Sequence, residues 1–322
     1  AWAALRVADL AVFVVDAVAG VQTQDELLWR MAGRLERPRL IFVNKLDRDR
    51  AGFDRTLAQI KERFTDTGIE PVELPIGEES SFHGVADLIT EHVWLYDTGR
   101  GEERDELPPE IAEREHEEHD HLIEDVVEQD DALLERYLEG EEPPLEELEQ
   151  ALHAGVDRAA VLPVLVGAAP APIGVDRLAS FIVHVGPAPN EVPPATVYAG
   201  GELHDVECDP EGEPLALVFK TLSDPYLGRL SVFKVLSGVI ETDDVHVNPR
   251  TGESERLHSL VQLRGSAHES VRRVVAGDIA AVTKLDDVDT SDTLASVRTP
   301  ATVSAIELPE PVHGVAVRAR NQ

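Results

Sequence analysis

Cysteine occurs once in the 322 residues, at Cys208. A lone thiol cannot build an internal disulfide framework, and the chain fits a reducing compartment, with Cys208 inert. Basic charge is scarce: 29 Lys and Arg stand against 62 Asp and Glu, for a formal net charge of −33. That balance argues against a broad electrostatic grip on nucleic acid and leaves room only for a local basic patch. Long apolar runs are missing too. The longest uncharged stretch, Ala159 to Val175, is broken by Pro163, Pro170 and Pro172 and is too short to span a bilayer. The first residues carry no basic, apolar, small-residue series of a secretion signal. Nor is there an initiator Met at Ala1, so the chain reads as an internal piece of a longer protein. The expectation is a soluble, cytoplasmic, acidic protein with no membrane contact.

What is present is ordinary globular material, 43% hydrophobic and 28% charged, long enough for about two domains of ~150 residues. Residues 8–17 form a nearly unbroken apolar run ending in Asp16, as a strand buried on both faces of a parallel sheet reads. A helix follows from Gln22 to Glu36, its predicted core stripe being Leu27, Leu28, Met31 and Leu35. Pro38 closes it, and a second apolar strand, Leu40 to Val43, runs straight into Asn44-Lys45-Leu46-Asp47. Strand, helix, strand at this spacing is a βαβ unit. A further helix covers 53–64.

Beyond it the composition changes. Between Gly101 and Gln150 stand 22 acidic residues and three Arg, with helical periodicity over Pro109–Leu138. Residues 66–158 are expected to be an inserted acidic α+β subdomain, its charges a solvated face. The buried-strand pattern returns at 161–166, followed by Gly167-Ala168-Ala169 and a helix from Gly174 with Val175, Leu178, Ala179, Ile182 and Val183 on one side. Residues 1–65 and 159–190 thus make one α/β domain. After a Pro-rich linker, residues 195–300 carry short β-rich runs and turn signals without helical period, the pattern of a β-barrel. Residues 301–322 read as the first strand of a truncated third domain.

Asn44-Lys45-Leu46-Asp47 sits at the C-terminal end of a buried parallel strand, where open α/β sheets place ligands. The Asn-Lys-x-Asp pattern suits guanine: a fixed carboxylate accepts from both the ring N–H and the exocyclic amine. Adenine offers no such pair and leaves the carboxylate unpaired, a difference worth ~10⁴–10⁵ in discrimination. The reading assigns that role to Asp47. Asn44 holds the loop and meets the base edge, and the Lys45 stem covers the base. Gly167-Ala168-Ala169, at the end of the next sheet strand, brings a backbone N–H toward the guanine oxygen.

With these residues in view, the chain resembles elongation factor G and its paralogues among the translational GTPases. The similarity runs through ALRVADLAVFVVDAVAGVQTQ, RPRLIFVNKLDRDRAGFDRTL, LPIGEESSFHGVADLI and PLALVFKTLSDPYLGRLSVFKVLSG. It implies a partial P-loop-type GTPase, a doubly wound α/β sheet with an α+β insertion, followed by an all-β barrel of translation-factor type. It further implies GTP hydrolysis coupled to movement of tRNA and mRNA on the ribosome. GTP or GDP is the nucleotide, with Mg²⁺ in the parent protein only. The family's phosphate loop, switches and metal ligands are expected upstream of Ala1, and no G-x-x-x-x-G-K-[S/T] occurs in the sequence. This chain alone is therefore expected to be inactive, with no catalytic residue. The family's usual Gly-Ser-Ala is Gly167-Ala168-Ala169 here, so the hydroxyl that would brace Asp47 is lost. By resemblance the barrel meets ribosomal RNA, with Lys220, Arg229, Lys234, Arg264, Arg272 and Arg273 as candidates, and the acidic insertion meets the ribosomal stalk protein. The chain is taken as a monomer. Two other readings remain: a GTPase that rescues or protects ribosomes, and a non-enzymatic ribosome-binding paralogue. His116, His119 and His121 cluster among acids, but only the first pair shares a helical face, so no metal site is assigned.

Overall fold

The structure, a computed structural model, describes residues 1–64, 68–141, 143–224, 228–265, 267–285, 287–305 and 314–318. It divides into two compact units, Ala1 with Val7–Pro194, and Trp2–Arg6 with Ala195–Gln322. A short helix, α1 (Trp2–Val7), precedes the first predicted strand. In the first unit β1 (Ala11–Asp16), α2 (Thr23–Arg34), β2 (Arg39–Asn44) and α3 (Phe53–Phe64) follow within a few residues of the predicted bounds.

Next come β3 (Ile69–Pro71), β4 (Glu73–Ile76), β5 (Gly84–Asp87), β6 (Val93–Leu95) and β7 (Glu102–Arg104). The acidic helices α4 (Ala112–Val127), α5 (Asp131–Leu138) and α6 (Leu145–Asp157) precede β8 (Leu162–Val166) and α7 (Val175–His184). Strands β1, β2, β8 and β3 form a parallel sheet in that order, and β4 to β7 a separate antiparallel one. Ile69–Pro71, placed in the insertion by its sequence position, is therefore the edge strand of the main sheet. The periodicity over 109–138 is split in two because Asp130 caps α5, its Oδ1 accepting from the N–H groups of Ala132 and Leu133.

Every residue of β8 is buried and β2 is buried up to Asn44, as two-sided burial in a parallel sheet requires. Under β1 and α2 the core is aromatic. The Trp29 and Phe64 rings stack with centroids 4.2 Å apart, Phe13 meets Trp29 edge-on at 4.8 Å, and the Arg39 guanidinium lies 4.4 Å over Trp29. Two predicted faces need correction. In α2 the buried side chains are Trp29, Met31 and Ala32, while Leu27 is exposed, because the helix turns its one large aromatic toward Phe13 and Phe64. In α7 no residue is buried, and Val175, Ile182 and Val183 face solvent.

The second unit is all-β among its described residues from 195 on. Its strands are β9 (Ala195–Ala199), β10 (Glu202–Val206), β11 (Leu215–Asp224), β12 (Gly228–Ser237), β13 (Val239–Glu241), β14 (Val245–Asn248) and β15 (Glu253–Arg256). They continue with β16 (Leu260–Arg264), β17 (Ala267–Val271), β18 (Arg273–Val275), β19 (Ile279–Thr283), β20 (Thr293–Ser296) and β21 (Thr302–Val303). Eight of them form a barrel-like antiparallel sheet, in the order β15-β14-β20-β11-β12-β19-β16-β17. Val218, Phe233, Val235, Ile240, Leu260 and Val274 lie in its main core. Thr302–Val303, expected to open a third domain, instead pair with β9. The further strand expected over the last residues falls largely outside the described ones, and 314–318 have no regular structure. No helix is long and apolar enough to cross a membrane among the described residues.

Candidate functional site

Three strand ends lie side by side at the carboxyl edge of the parallel sheet. Asp16 pairs with Asn44 in register, and Val43 with Val166. The loops that leave these strands are laced together by the backbone. Gly167 N–H donates to the Val43 carbonyl at 3.0 Å, and Leu46 N–H donates to the Gly167 carbonyl at 3.3 Å. Gly167 is needed for this approach: a Cβ there would come within 2.5 Å of both the Ile173 carbonyl oxygen and the Phe42 ring.

Asn44 is the tie between the two predicted loops. Its Oδ1 accepts from the N–H of Lys45 at 2.8 Å and from that of Ala169 at 2.9 Å. Lys45 then turns through the left-handed region at φ 68°, a strained conformation for a side chain with a Cβ. Leu46 is buried beneath the turn, and Ala168 is buried beside it, exchanging hydrogen bonds with Ile173. Asp47 closes the turn. Its Oδ1 is shielded from water and has no hydrogen-bond partner, the nearest cation being Arg48 Nε at 3.8 Å.

Sequence reasoning did not give Asp16 a role. Its Oδ2 receives Lys45 Nζ at 2.5 Å, and its Oδ1 accepts from the N–H groups of Val18 and Ala19. Burial pushes the Asp16 carboxyl up, but these hydrogen bonds outweigh it and hold the group below the usual Asp range. Its position as the last residue of an apolar run, level with Asn44, was the available signal. The arrangement can do one thing chemically: hold a carboxylate at a fixed place above a sheet edge. The backbone N–H expected to reach the guanine oxygen is not free, because those of Gly167, Ala168 and Ala169 already donate to the Val43 carbonyl, the Ile173 carbonyl and Asn44 Oδ1.

The basic candidates of the second unit scatter. Lys220, Arg264, Arg272 and Arg273 are exposed. Arg229 donates to the Val288 carbonyl and the Asp289 carboxylate, both at 2.6 Å. Lys234 is corrected: it lies in the middle of β12 between β11 and β19 and is only 5% exposed, so it is withdrawn as an RNA contact. His116, His119 and His121 form no three-ligand cluster among the described residues, and His119 Nδ1 is engaged by the Leu88 carbonyl at 2.7 Å. Cys208 is half-buried.

Comparison with known proteins adds the family. The model of the elongation factor Tu GTP binding domain matches residues 2–188, and that of elongation factor G domain 2 matches residues 213–297. The chain is similar to elongation factor G of Mycoplasma pneumoniae, 34% identical over 99% of this chain and 46% of that protein. It also superposes on a crystal structure from Thermus thermophilus with a TM-score of 0.82 and 31% identity, over 97% of this chain and 44% of that one. The chain thus spans about half the length of the relatives it matches.

Proposed function

The chain belongs to the family of the elongation factor Tu GTP-binding domain, and from that premise we propose that it carries the base-reading half of a guanine-nucleotide site. The parent protein, on this reading, is an elongation factor G-type GTPase that couples GTP hydrolysis to movement of tRNA and mRNA on the ribosome. One observation carries the site assignment: Asn44 clamps the loops of Asp47 and Ala169 together while Asp47 Oδ1 is left buried and unpartnered. An orphaned buried acceptor costs ~1–3 kcal/mol, more when charged. The resembled family's Ser would supply the missing donor at position 168, where this chain has Ala. The guanine-reading role of Asp47 rests on the Asn44 clamp and on its place at the strand end, where a carboxylate accepts from the ring N–H and the amine.

The residues present do not fit the phosphates or Mg²⁺. Helix N-termini are the ready-made phosphate sites, but here the first turns of α2, α3 and α7 carry Asp25 and Glu26, Asp54, and Asp176. Metal and phosphate chemistry is accordingly not assigned to this chain, which is proposed to be inactive alone. Lys220, Arg229, Arg264, Arg272 and Arg273 are proposed contacts to ribosomal RNA, and α4 to α6 a docking face for the ribosomal stalk protein. The protein is placed in the cytoplasm as a monomer.

Millimolar GDP and ADP added separately to the isotope-labelled chain test the site by NMR. GDP is expected to shift the amides of Asn44 to Asp47 and Gly167 to Ala169, ADP is not, and Asp47→Asn transfers the response to XDP, because an amide donates where the carboxylate only accepted. Equal shifts with GDP and ADP would remove the assignment.

A further inference from the structure

A second convergence of polar groups lies away from these loops. His153 and Asp157 stand four residues apart at the end of α6 and so share one helical face. Glu191 reaches them from the segment after α7. One ligand atom from each of the three lies within 4.8 Å of the others, the one such group among the described residues. His153 Nε2 is 3.3 Å from Asp157 Oδ2 and 3.5 Å from Glu191 Oε2.

The other ring nitrogen fixes the tautomer. His153 Nδ1 is 3.0 Å from the Val185 carbonyl oxygen, which only accepts, so Nδ1 carries a proton and donates it. In the neutral ring the Nε2 lone pair then faces two carboxylates. Three acceptors aimed at one space repel unless a cation sits among them, either a proton on Nε2 or a metal ion. Distance separates the two. Charge-assisted N–H···O bonds run about 2.7–2.9 Å, shorter than both contacts here. Tetrahedral coordination with bonds near 2.1 Å separates neighbouring ligand atoms by about 3.4 Å, and the two distances from His153 Nε2, 3.3 and 3.5 Å, match that spacing. A His whose far nitrogen donates to a backbone carbonyl is also the usual outer support of a metal ligand. Asp157 Oδ1 is shielded from water and has no hydrogen-bond partner.

We infer that His153, Asp157 and Glu191 form a binding site for a divalent transition-metal ion of the zinc type. One imidazole with two carboxylates favours Zn²⁺ over Mg²⁺, which prefers all-oxygen octahedra. Glu191 is pre-oriented, because its Oε2 also accepts from the Ala188 N–H at 2.6 Å. A bound ion clips the last turn of α6 to the segment between Val185 and Glu191, leaving a fourth position for water.

The test is calorimetric titration of Zn²⁺ into the full chain near neutral pH with Mg²⁺ in excess, for the native sequence, His153→Ala and Glu191→Gln. Glu191 lies outside any helix, so its variant keeps the fold if His153→Ala does not. The expected result is one ion per native chain, weakened about tenfold or more by each substitution, with the His153 Nε2 resonance displaced by Zn²⁺ and Nδ1 still protonated. No binding by the native chain, or binding that both variants retain at full strength, overturns the site.

Discussion

Glu73 Oε2 accepts a hydrogen bond from the backbone N–H of Val166 at 3.0 Å, one residue before the Gly167 loop. The Glu73 side chain is only 3% exposed. Burial, assisted by Asp87 and Asp176 and opposed by the Val166 N–H and Arg177, pushes its carboxyl from an ordinary 4.5 up to about 8. The folded protein therefore holds a proton that the unfolded chain releases. This group's contribution is complete below about pH 4.5 and is lost as pH rises through about 8. Glu73→Gln keeps the acceptor and removes the titration. The variant is expected to gain on the order of 1–3 kcal/mol at pH 8 over the native chain and to differ little at pH 5. Urea unfolding across that range checks it; parallel stability curves for the two proteins would refute it.

Asp47 Oδ1 has no partner, and its loop neighbour at position 168 is Ala where the resembled family has Ser. Ala168→Ser is expected to supply the missing brace and tighten GDP about fivefold, one neutral hydrogen bond's worth at ~1 kcal/mol. The gain must vanish in an Asp47→Ala background, which a double-mutant cycle by NMR titration measures. An equal gain in both backgrounds would place the hydroxyl elsewhere.

Only the base-reading half of the site is assigned to this chain. A few charge-assisted hydrogen bonds at ~1.5–3 kcal/mol each must offset ~4 kcal/mol or more of lost rigid-body freedom. GDP binding is therefore expected at millimolar strength, roughly −4 kcal/mol, with no phosphate release from GTP, ribosomes present or not. Micromolar binding of fluorescent GDP, or release above background, contradicts this.

Exposed acids crowd α4 to α6, and Arg136 there is already shared between Glu141 and Glu147 at 2.6 Å. Phosphate would be repelled from that face, whereas a basic protein surface would be drawn to it and released by salt. Titration with the isolated ribosomal stalk domain is expected to shift amides within residues 109–155 and to lose the effect at high salt. Absence of any shift there defeats the docking proposal.

The parts of the fold read most directly were those that a single local rule decides. β2 and β8 are unbroken apolar runs because both faces of a parallel sheet are covered, and α3 matches its periodicity to the residue. Faces were harder. Leu27 and Trp29 are both apolar, and only the tertiary neighbours Phe13 and Phe64 decide that Trp29 goes inward. At the candidate site the turn from Asn44 to Asp47 was legible as a motif. The hydrogen bond from Ala169 N–H to Asn44 crosses 125 positions, and no local pattern announces it. Glu191 escaped for the same reason, its partners His153 and Asp157 lying on a different element.

The neighbours β3 and β8 are parallel, and the whole of β4 to α6 runs between them. The Glu73–Val166 bond beside them spans 93 positions. Chain-closure entropy must be met before such contacts reward it, so topologies of this kind fold slowly. The Gly167 loop cannot take its place until β8 has docked. Assembly of the proposed base-reading corner thus waits until the residues between β3 and β8 have been made, and during synthesis Asn44 emerges from the ribosome 125 positions ahead of the Ala169 that ties to it.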